Sequence, residues 1–273
     1  METTNNTKQT IKHLELSIQI SLSGLSFSVL NRSTKEVFTH KRIQFKTPEN
    51  PFRLLDHIQT LFNTEEVLKQ DFAAVQVIHC NELSTLVPKA LFSEDHLGDY
   101  LKFNSKILKT DFITFDVLES NDAVNVYVPY VNINNFVYDH FGSFTFKHYS
   151  TVLIESILQL EKNNKVPKLY VHIDKRHFEI VSVNNGVLQF YNTFEYNTKE
   201  DFIYYLLFTI EQLKLNPETI DLVFVGAILK HDDLYNMAYT YIRHVSFGKL
   251  NNNFTFKQQP QTQHAEFILL NSF

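Results

Sequence analysis

Tryptophan is absent from the 273 residues, and cysteine occurs once, as Cys80. A single thiol excludes an intrachain disulfide and any zinc site built on several thiolates. Its spacing reads as a small buried residue at a strand end. Six glycines and seven prolines leave little material for a glycine-rich phosphate cradle. The longest apolar run, Ile203 to Ile210, falls far short of the roughly 20 residues a membrane span needs, so no membrane insertion is expected. Charge of one sign is also scarce: a net −5 gives no general drive toward nucleic acid, and none is expected as a partner. The polar opening residues 1–13 read as a short disordered tail without a leader, which places the protein in the cytoplasm.

Aromatic rings are plentiful, with 25 Phe and 13 Tyr, and 44% of the residues are hydrophobic, enough for two cores of ordinary domain size. The strongest signal is a repetition. Ser17-Ile18-Gln19-Ile20-Ser21, then Leu25 to Val29, then Glu36 onward to Phe45 alternate apolar and polar residues as half-buried strands do. Tyr170-Val171-His172-Ile173-Asp174, Phe178 to Ser182 and Val187 to Phe190 repeat that order, and subtracting 17 from 170, or 25 from 178, gives 153. An amphipathic helix and a buried strand follow each meander.

Asn50-Pro51 predicts the first helix, with Phe52, Leu54, Leu55, Ile58, Leu61 and Phe62 spaced for one buried face. Phe72 to Cys80 reads as a strand and Leu86 to Phe92 as a turn-and-helix segment, with Ser93 capping a further helix. Strands over 111–118 and 124–130, a helix over 131–141 and a strand over 143–148 come next. Ser150 is expected to cap a linking helix over about 150–163, after which Asn163 to Pro167 marks a boundary. In the second half Asn184-Asn185-Gly186 supplies a tight hairpin, Thr198 caps a helix, Ile220 to Val225 is a strand and Asp232 to Ile242 a helix. Phe254 to Lys257 and Glu266 to Leu270 are expected as strands closing the second sheet.

A duplicated meander, helix and strand is the skeleton of the actin-like ATPase architecture: α/β, with two RNase H-like domains, each carrying a mixed sheet. The domains are expected at 14–148 and 149–273. Three stretches carry a closer resemblance: Leu86 to Phe92 with Tyr100 to Asn104, His148 to Ser156, and His172 to Phe178 through Tyr191 to Tyr196. They resemble an uncharacterised bacterial family, domain of unknown function 3822 (DUF3822), whose fold is actin-like. The order of elements from Asn125 to Leu160 is also similar to the pilus-assembly actin homologues, which are scaffolds at membrane machines. The resemblance implies the fold and hardly any activity.

Actin-like ATPases hold phosphate in two hairpin turns on opposite walls of one crevice, each with an Asp followed by glycines. The Asp organises Mg²⁺ and water, and the glycines let backbone N–H groups approach the phosphates. Here the first turn reads Gln19-Ile20-Ser21-Leu22-Ser23-Gly24, with hydroxyls at Ser21 and Ser23 but no carboxylate. The second keeps Asp174 but follows it with Lys175, Arg176 and His177. The adenosine-side position offers one glycine, Gly226, where a pair is needed. No catalytic residue is therefore expected, and no cofactor. Ser21, Ser23, Gly24, Asp174, Lys175, Arg176 and Gly226 remain as degenerate phosphate or nucleotide positions. Lys175 and Arg176 could hold an anion by charge, or simply solvate a hairpin tip. His148, His172 and His177 with Asp174 form a second cluster, read as core or interface histidines ahead of a metal site. Ser150 with His148 reads as capping rather than as a nucleophile pair. No Walker loop, G-x-S-x-G elbow or H-E-x-x-H motif occurs.

The expected role is binding or scaffolding for a protein partner without ATP hydrolysis. The alternative is an enzyme or sensor that keeps a nucleotide or phosphosugar in the interdomain cleft.

Overall fold

Leu16, Ile18 and Ile20 recur at every second position of β1 (Leu14–Ser21), and each is almost completely buried. That period-two burial is what a strand with one face on a core produces. The computed structural model describes residues 13–103, 105–250, 254–260 and 262–273; the tail expected over 1–13 lies outside them except for His13. The chain divides into two compact units, residues 1–152 with 252–260 and 272–273, and residues 153–251 with 261–271.

In the first unit, β1 pairs antiparallel with β2 (Gly24–Asn31), which pairs antiparallel with β3 (Glu36–Gln44). Helix α1 (Pro51–Thr64) begins where Asn50 accepts the backbone N–H groups of Phe52 and Arg53, each at 3.0 Å, with Pro51 in the first turn. Its buried face of Leu54, Ile58, Leu61 and Phe62 covers the sheet core around Ile18, Phe27 and Val77. Strand β4 (Ala74–Cys80) lies parallel beside β1. A smaller sheet follows, built from β5 (Ser84–Pro88), β6 (Thr114–Leu118) and β7 (Ala123–Tyr127) in the order β5-β7-β6, with α2 (Leu97–Leu101) against it. Helix α3 (Val131–Phe141) and strand β8 (Thr145–His148) return the chain to the main sheet, and α4 (Tyr149–Glu161) leaves it.

The second unit contains β9 (Lys168–Ile173), β10 (His177–Asn184), β11 (Val187–Glu195), α5 (Lys199–Gln212), β12 (Asp221–Gly226), α6 (Asp233–Tyr241) and β13 (His244–Phe247). Its sheet runs β11-β10-β9-β12-β13, over a core that includes Val171, Phe178, Phe202, Leu206 and Phe224. The hairpin between β10 and β11 turns at Asn185 and Gly186, with φ of 53° and 72°, the left-handed pair that a tight hairpin requires. Thr198 and Asp201 form a reciprocal capping box at the start of α5.

The duplication holds at the level of single residue pairs. Ile18 faces Phe27 in the first hairpin, and Val171 faces Ile180 in the second, both moved by the offset of 153. Each sheet carries a β-bulge at the corresponding step, between Val29 and Leu30 and between Ser182 and Val183. β1 and β9 each lie between an antiparallel meander strand and a parallel neighbour.

Several segments differ from expectation. Glu266 to Leu270 is helical, a 3₁₀ turn leading into α7 (Phe267–Asn271), whose Phe267 to Leu270 are all buried. Strand β14 (Thr255–Phe256) pairs parallel with β3 and so extends the first sheet, not the second. Leu86 to Phe92 is mostly strand β5 followed by one 3₁₀ turn, because Val87 faces Val124 across the small sheet. Ser93 precedes a 3₁₀ turn without capping it through its side chain.

Candidate functional site

The first turn is closed on itself. Ser21 donates its hydroxyl to the Gly24 carbonyl at 3.0 Å, which leaves Ser23 to donate to Ser21 Oγ at 3.0 Å. The Ser23 backbone N–H also points at Ser21 Oγ, at 3.3 Å. The carbonyls of Leu22 and Ser23 accept from Glu49 and Phe45, tying the turn to the chain beyond β3. Gly24 is required by packing, since a Cβ there would stand 2.5 Å from the Ile43 carbonyl oxygen. Hydroxyls and glycine thus have local structural work, and none of these residues is a carboxylate.

The second turn is also braced, but by charged groups. Asp174 Oδ1 accepts the Lys175 N–H at 2.6 Å, and the Asp174 N–H donates to the His177 carbonyl at 3.0 Å. Tyr196 donates its hydroxyl to the Asp174 carbonyl at 2.8 Å. Burial and the nearby Asp174 and Glu179 push the Tyr196 phenol up to about 12. Lys175 and Arg176 stand exposed at the tip and make no ion pair among the described residues. Behind them Glu179, fully buried in β10, makes a hydrogen bond with His172 Nδ1 at 2.5 Å and lies 3.3 Å from His177 Nε2.

Gly226 ends β12 with φ of 86°, and a Cβ there would lie 2.4 Å from the Ile173 carbonyl oxygen and 2.9 Å from His172 Cδ2. The Ala227 N–H donates to the Ile173 carbonyl at 2.8 Å. The close approach of this turn to the end of β9 accounts for the glycine without any ligand.

His148 takes its partners within the first unit. Its Nδ1 accepts the Ser150 hydroxyl at 2.7 Å, and its Nε2 reaches the Asn81 carbonyl at 3.0 Å. Ser150 lies inside α4, which starts at Tyr149, so it caps nothing, contrary to expectation. Asp116 accepts the His148 N–H at 2.8 Å, the Thr151 hydroxyl at 2.7 Å and the Tyr127 hydroxyl at 3.0 Å. Burial raises the Asp116 carboxyl above its ordinary range and lowers His148 to about 3. His148, Ser150 and Thr151 are fully buried, so this network reads as structural.

Sequence reasoning passed over Glu179 and Asp116. Glu179 leaves a usable signal, a charged residue between Phe178 and Ile180 at the level of His172. Asp116 leaves none, because its partners lie 11, 32 and 35 residues away. Among the described residues, no three His, Cys, Asp or Glu side chains are grouped to hold a metal ion, and no helix is long and apolar enough to cross a membrane.

Three solved structures share the architecture. A Bacteroides thetaiotaomicron protein with an actin-like ATPase fold and unknown function superposes with a TM-score of 0.74 at 24% identity, over 89% of this chain and 93% of its own. The PilM–PilN type IV pilus biogenesis complex gives 0.59 at 11% identity, over 94% and 96%. The ethanolamine utilization protein EutJ from Carboxydothermus hydrogenoformans gives 0.53 at 8% identity, over 94% and 88%. No curated protein matches by sequence. The fold is therefore the actin-like ATPase fold, as the duplicated meander predicts. The family model for the protein of unknown function DUF3822 matches residues 3–245, and the chain belongs to that family.

Proposed function

We propose that this protein is a cytoplasmic actin-like-fold module that binds a protein partner and does not hydrolyse ATP. The observation that carries the reading is the pair of hairpin turns. Ser21, Ser23 and Gly24 are engaged with their own turn and offer no carboxylate to organise Mg²⁺. In the second turn Asp174 is engaged by the Lys175 N–H, and the bulky Lys175, Arg176 and His177 crowd the place where glycines would let backbone donors approach phosphate. Gly226 has its own packing reason. The architecture shared with PilM, found in a complex with PilN, supports a protein partner by analogy of fold alone. The test is phosphate release by the purified chain with Mg²⁺ and ATP, expected at background. Steady release that disappears in Asp174→Ala would overturn the reading.

A second reading rests on Lys175 and Arg176, two exposed cations on one turn. They suit an anion such as a nucleotide or sugar phosphate, bound without cleavage. ATP at a hundredfold over its Kd would raise stability by about 2.7 kcal/mol, read as a shift in Tm. No shift with ATP, ADP or phosphosugars removes this reading.

A further inference from the structure

Helix α5 buries Phe202, Leu206 and Ile210 in the core of the second unit and turns another side outward. On that side Tyr204 is 63% exposed and Phe208 46%, one turn apart, with their rings stacked at 6.1 Å between centroids. Glu200 stands one turn before Tyr204, and Glu211 one turn after Phe208. At 3.6 residues per turn the four positions fall within about 80° of arc, so they share one face of the helix. Both glutamates are exposed and make no ion pair among the described residues. From one to the other the face runs about 16 Å.

The elements beside α5 add no positive charge. β11 and α6 pack against this helix, and neither carries a lysine or an arginine. Over the three elements the carboxylates are Glu195, Glu200, Asp201, Glu211 and Asp233, against Lys199 alone. Asp201 is engaged in the capping box, where it accepts the Asn197 and Thr198 N–H groups, each at 3.0 Å. Lys199 lies on the side of the helix that carries the buried Ile203, and Lys214 falls beyond the helix end, where φ is 55°. The outward face thus holds two aromatic rings between two carboxylates, with no cation on it.

We propose that the Glu200–Tyr204–Phe208–Glu211 face docks an arginine-rich segment of a partner protein, a site that rests on the reading of this chain as a protein-binding module. Guanidinium groups at the two ends of the segment pair with Glu200 and Glu211, and one between them stacks on the Tyr204 and Phe208 rings. Arginine fits both demands, because its planar fork matches a carboxylate and its flat face lies against an aromatic ring. An extended segment covers the distance between the glutamates in about five residues. The net charge of −5 on the whole chain adds to the attraction.

The test is fluorescence anisotropy of a labelled peptide of eight arginines titrated with the full chain, beside a peptide of eight lysines. The arginine peptide is expected to bind, and to bind more tightly than the lysine one. Glu200→Gln with Glu211→Gln should weaken it about tenfold. Tyr204→Ala should weaken it about threefold through the lost ring. Glu94→Gln with Asp95→Asn removes the same charge from exposed positions of the first unit and should leave binding unchanged. All these positions are exposed, and an unchanged Tm confirms the fold of each variant. No binding of the arginine peptide, equal loss with the control pair, equal binding of the lysine peptide, or full affinity in Tyr204→Ala overturns the proposal. Self-association of the chain that the glutamate variant abolishes would give the face to a second copy and overturn it too. None of these outcomes touches phosphate release, so failure removes this face and leaves the reading without ATP hydrolysis standing.

Discussion

The two hairpins share a backbone and differ in nearly every polar residue that the backbone carries. Apolar positions match: Ile18 and Phe27 in one, Val171 and Ile180 in the other, with a bulge at the same step. At the polar level Gln19 faces Ser26 in the first hairpin, and His172 faces Glu179 in the second. Register is set by which side chains must be buried, because a slip of one residue would turn the whole apolar set to the other face. Polar pairs on such a frame can change without moving it. The outer edges diverge too. β3 is covered by β14, whereas β11 is an edge among the described residues and engages its own backbone: Asn192 accepts the Thr193 N–H at 3.0 Å, and Gln189 donates to the Val187 carbonyl at 3.2 Å.

The largest difference should appear when the equivalent residues Ser26 and Glu179 are each changed to alanine. Glu179→Ala leaves two imidazoles beside a void and removes the group that holds both, an expected loss of about 3–5 kcal/mol. Ser26→Ala should cost about 1 kcal/mol or less. Urea midpoints at neutral pH measure both. Equal losses would mean that the His–Glu–His cluster contributes nothing beyond packing.

Acid should separate the units by the location of their histidines. His79 accepts the Tyr130 N–H at 3.3 Å and faces Asn134 at 2.9 Å, and burial lowers it to about 4. His148 is lowered to about 3, for the same reason. Both remain neutral in the folded chain while the unfolded chain takes up protons below about pH 6.5. Their contribution is complete above that pH and is lost as the pH falls toward the folded values. At about pH 5 the loss is on the order of 2 kcal/mol for each. Asp116, raised by burial, acts in the opposite sense at lower pH, where protonation favours the fold. Hydrogen-exchange protection of β4 and β8, which carry His79 and His148, should therefore fall between pH 7 and pH 5 more than that of β9 and β10, which carry neither. Equal declines would remove the contrast.

Legibility in the sequence followed the range of the interactions. Asn50 with Pro51, Asn185 with Gly186 and the Thr198 cap were readable because each acts within four residues of itself. The constant offset made the fold readable, since alternation in both meanders comes from burial against one core face each. Glu266 to Leu270 was misread because a short apolar run fits a buried helix as well as a buried strand. Ser150 looked like a cap because it opens a helical pattern, yet its hydroxyl serves His148 and accepts from Asn125 at 2.9 Å. Of the candidate phosphate positions, residue types were readable, but the internal engagement of Ser21, Ser23 and Asp174 depends on turn geometry that no spacing encodes.

The smallest effect should come from the tips of the two turns. Lys175→Ala with Arg176→Ala removes both exposed cations from the second turn and leaves the Asp174 and Tyr196 bracing, which uses backbone groups of the turn. Exposed charges contribute about 0–1 kcal/mol, so the urea midpoint should scarcely move. The first turn has Leu22 and Ser23 at these positions, and no charge to remove. If the second turn keeps an anion, the double variant should lose any Tm shift that phosphate or a nucleotide produces, with its stability intact. If it unfolds, the pair is structural and the two turns differ in architecture as well as charge. If it keeps a full ligand response, the anion is held elsewhere, and the cations at 175 and 176 only solvate the tip.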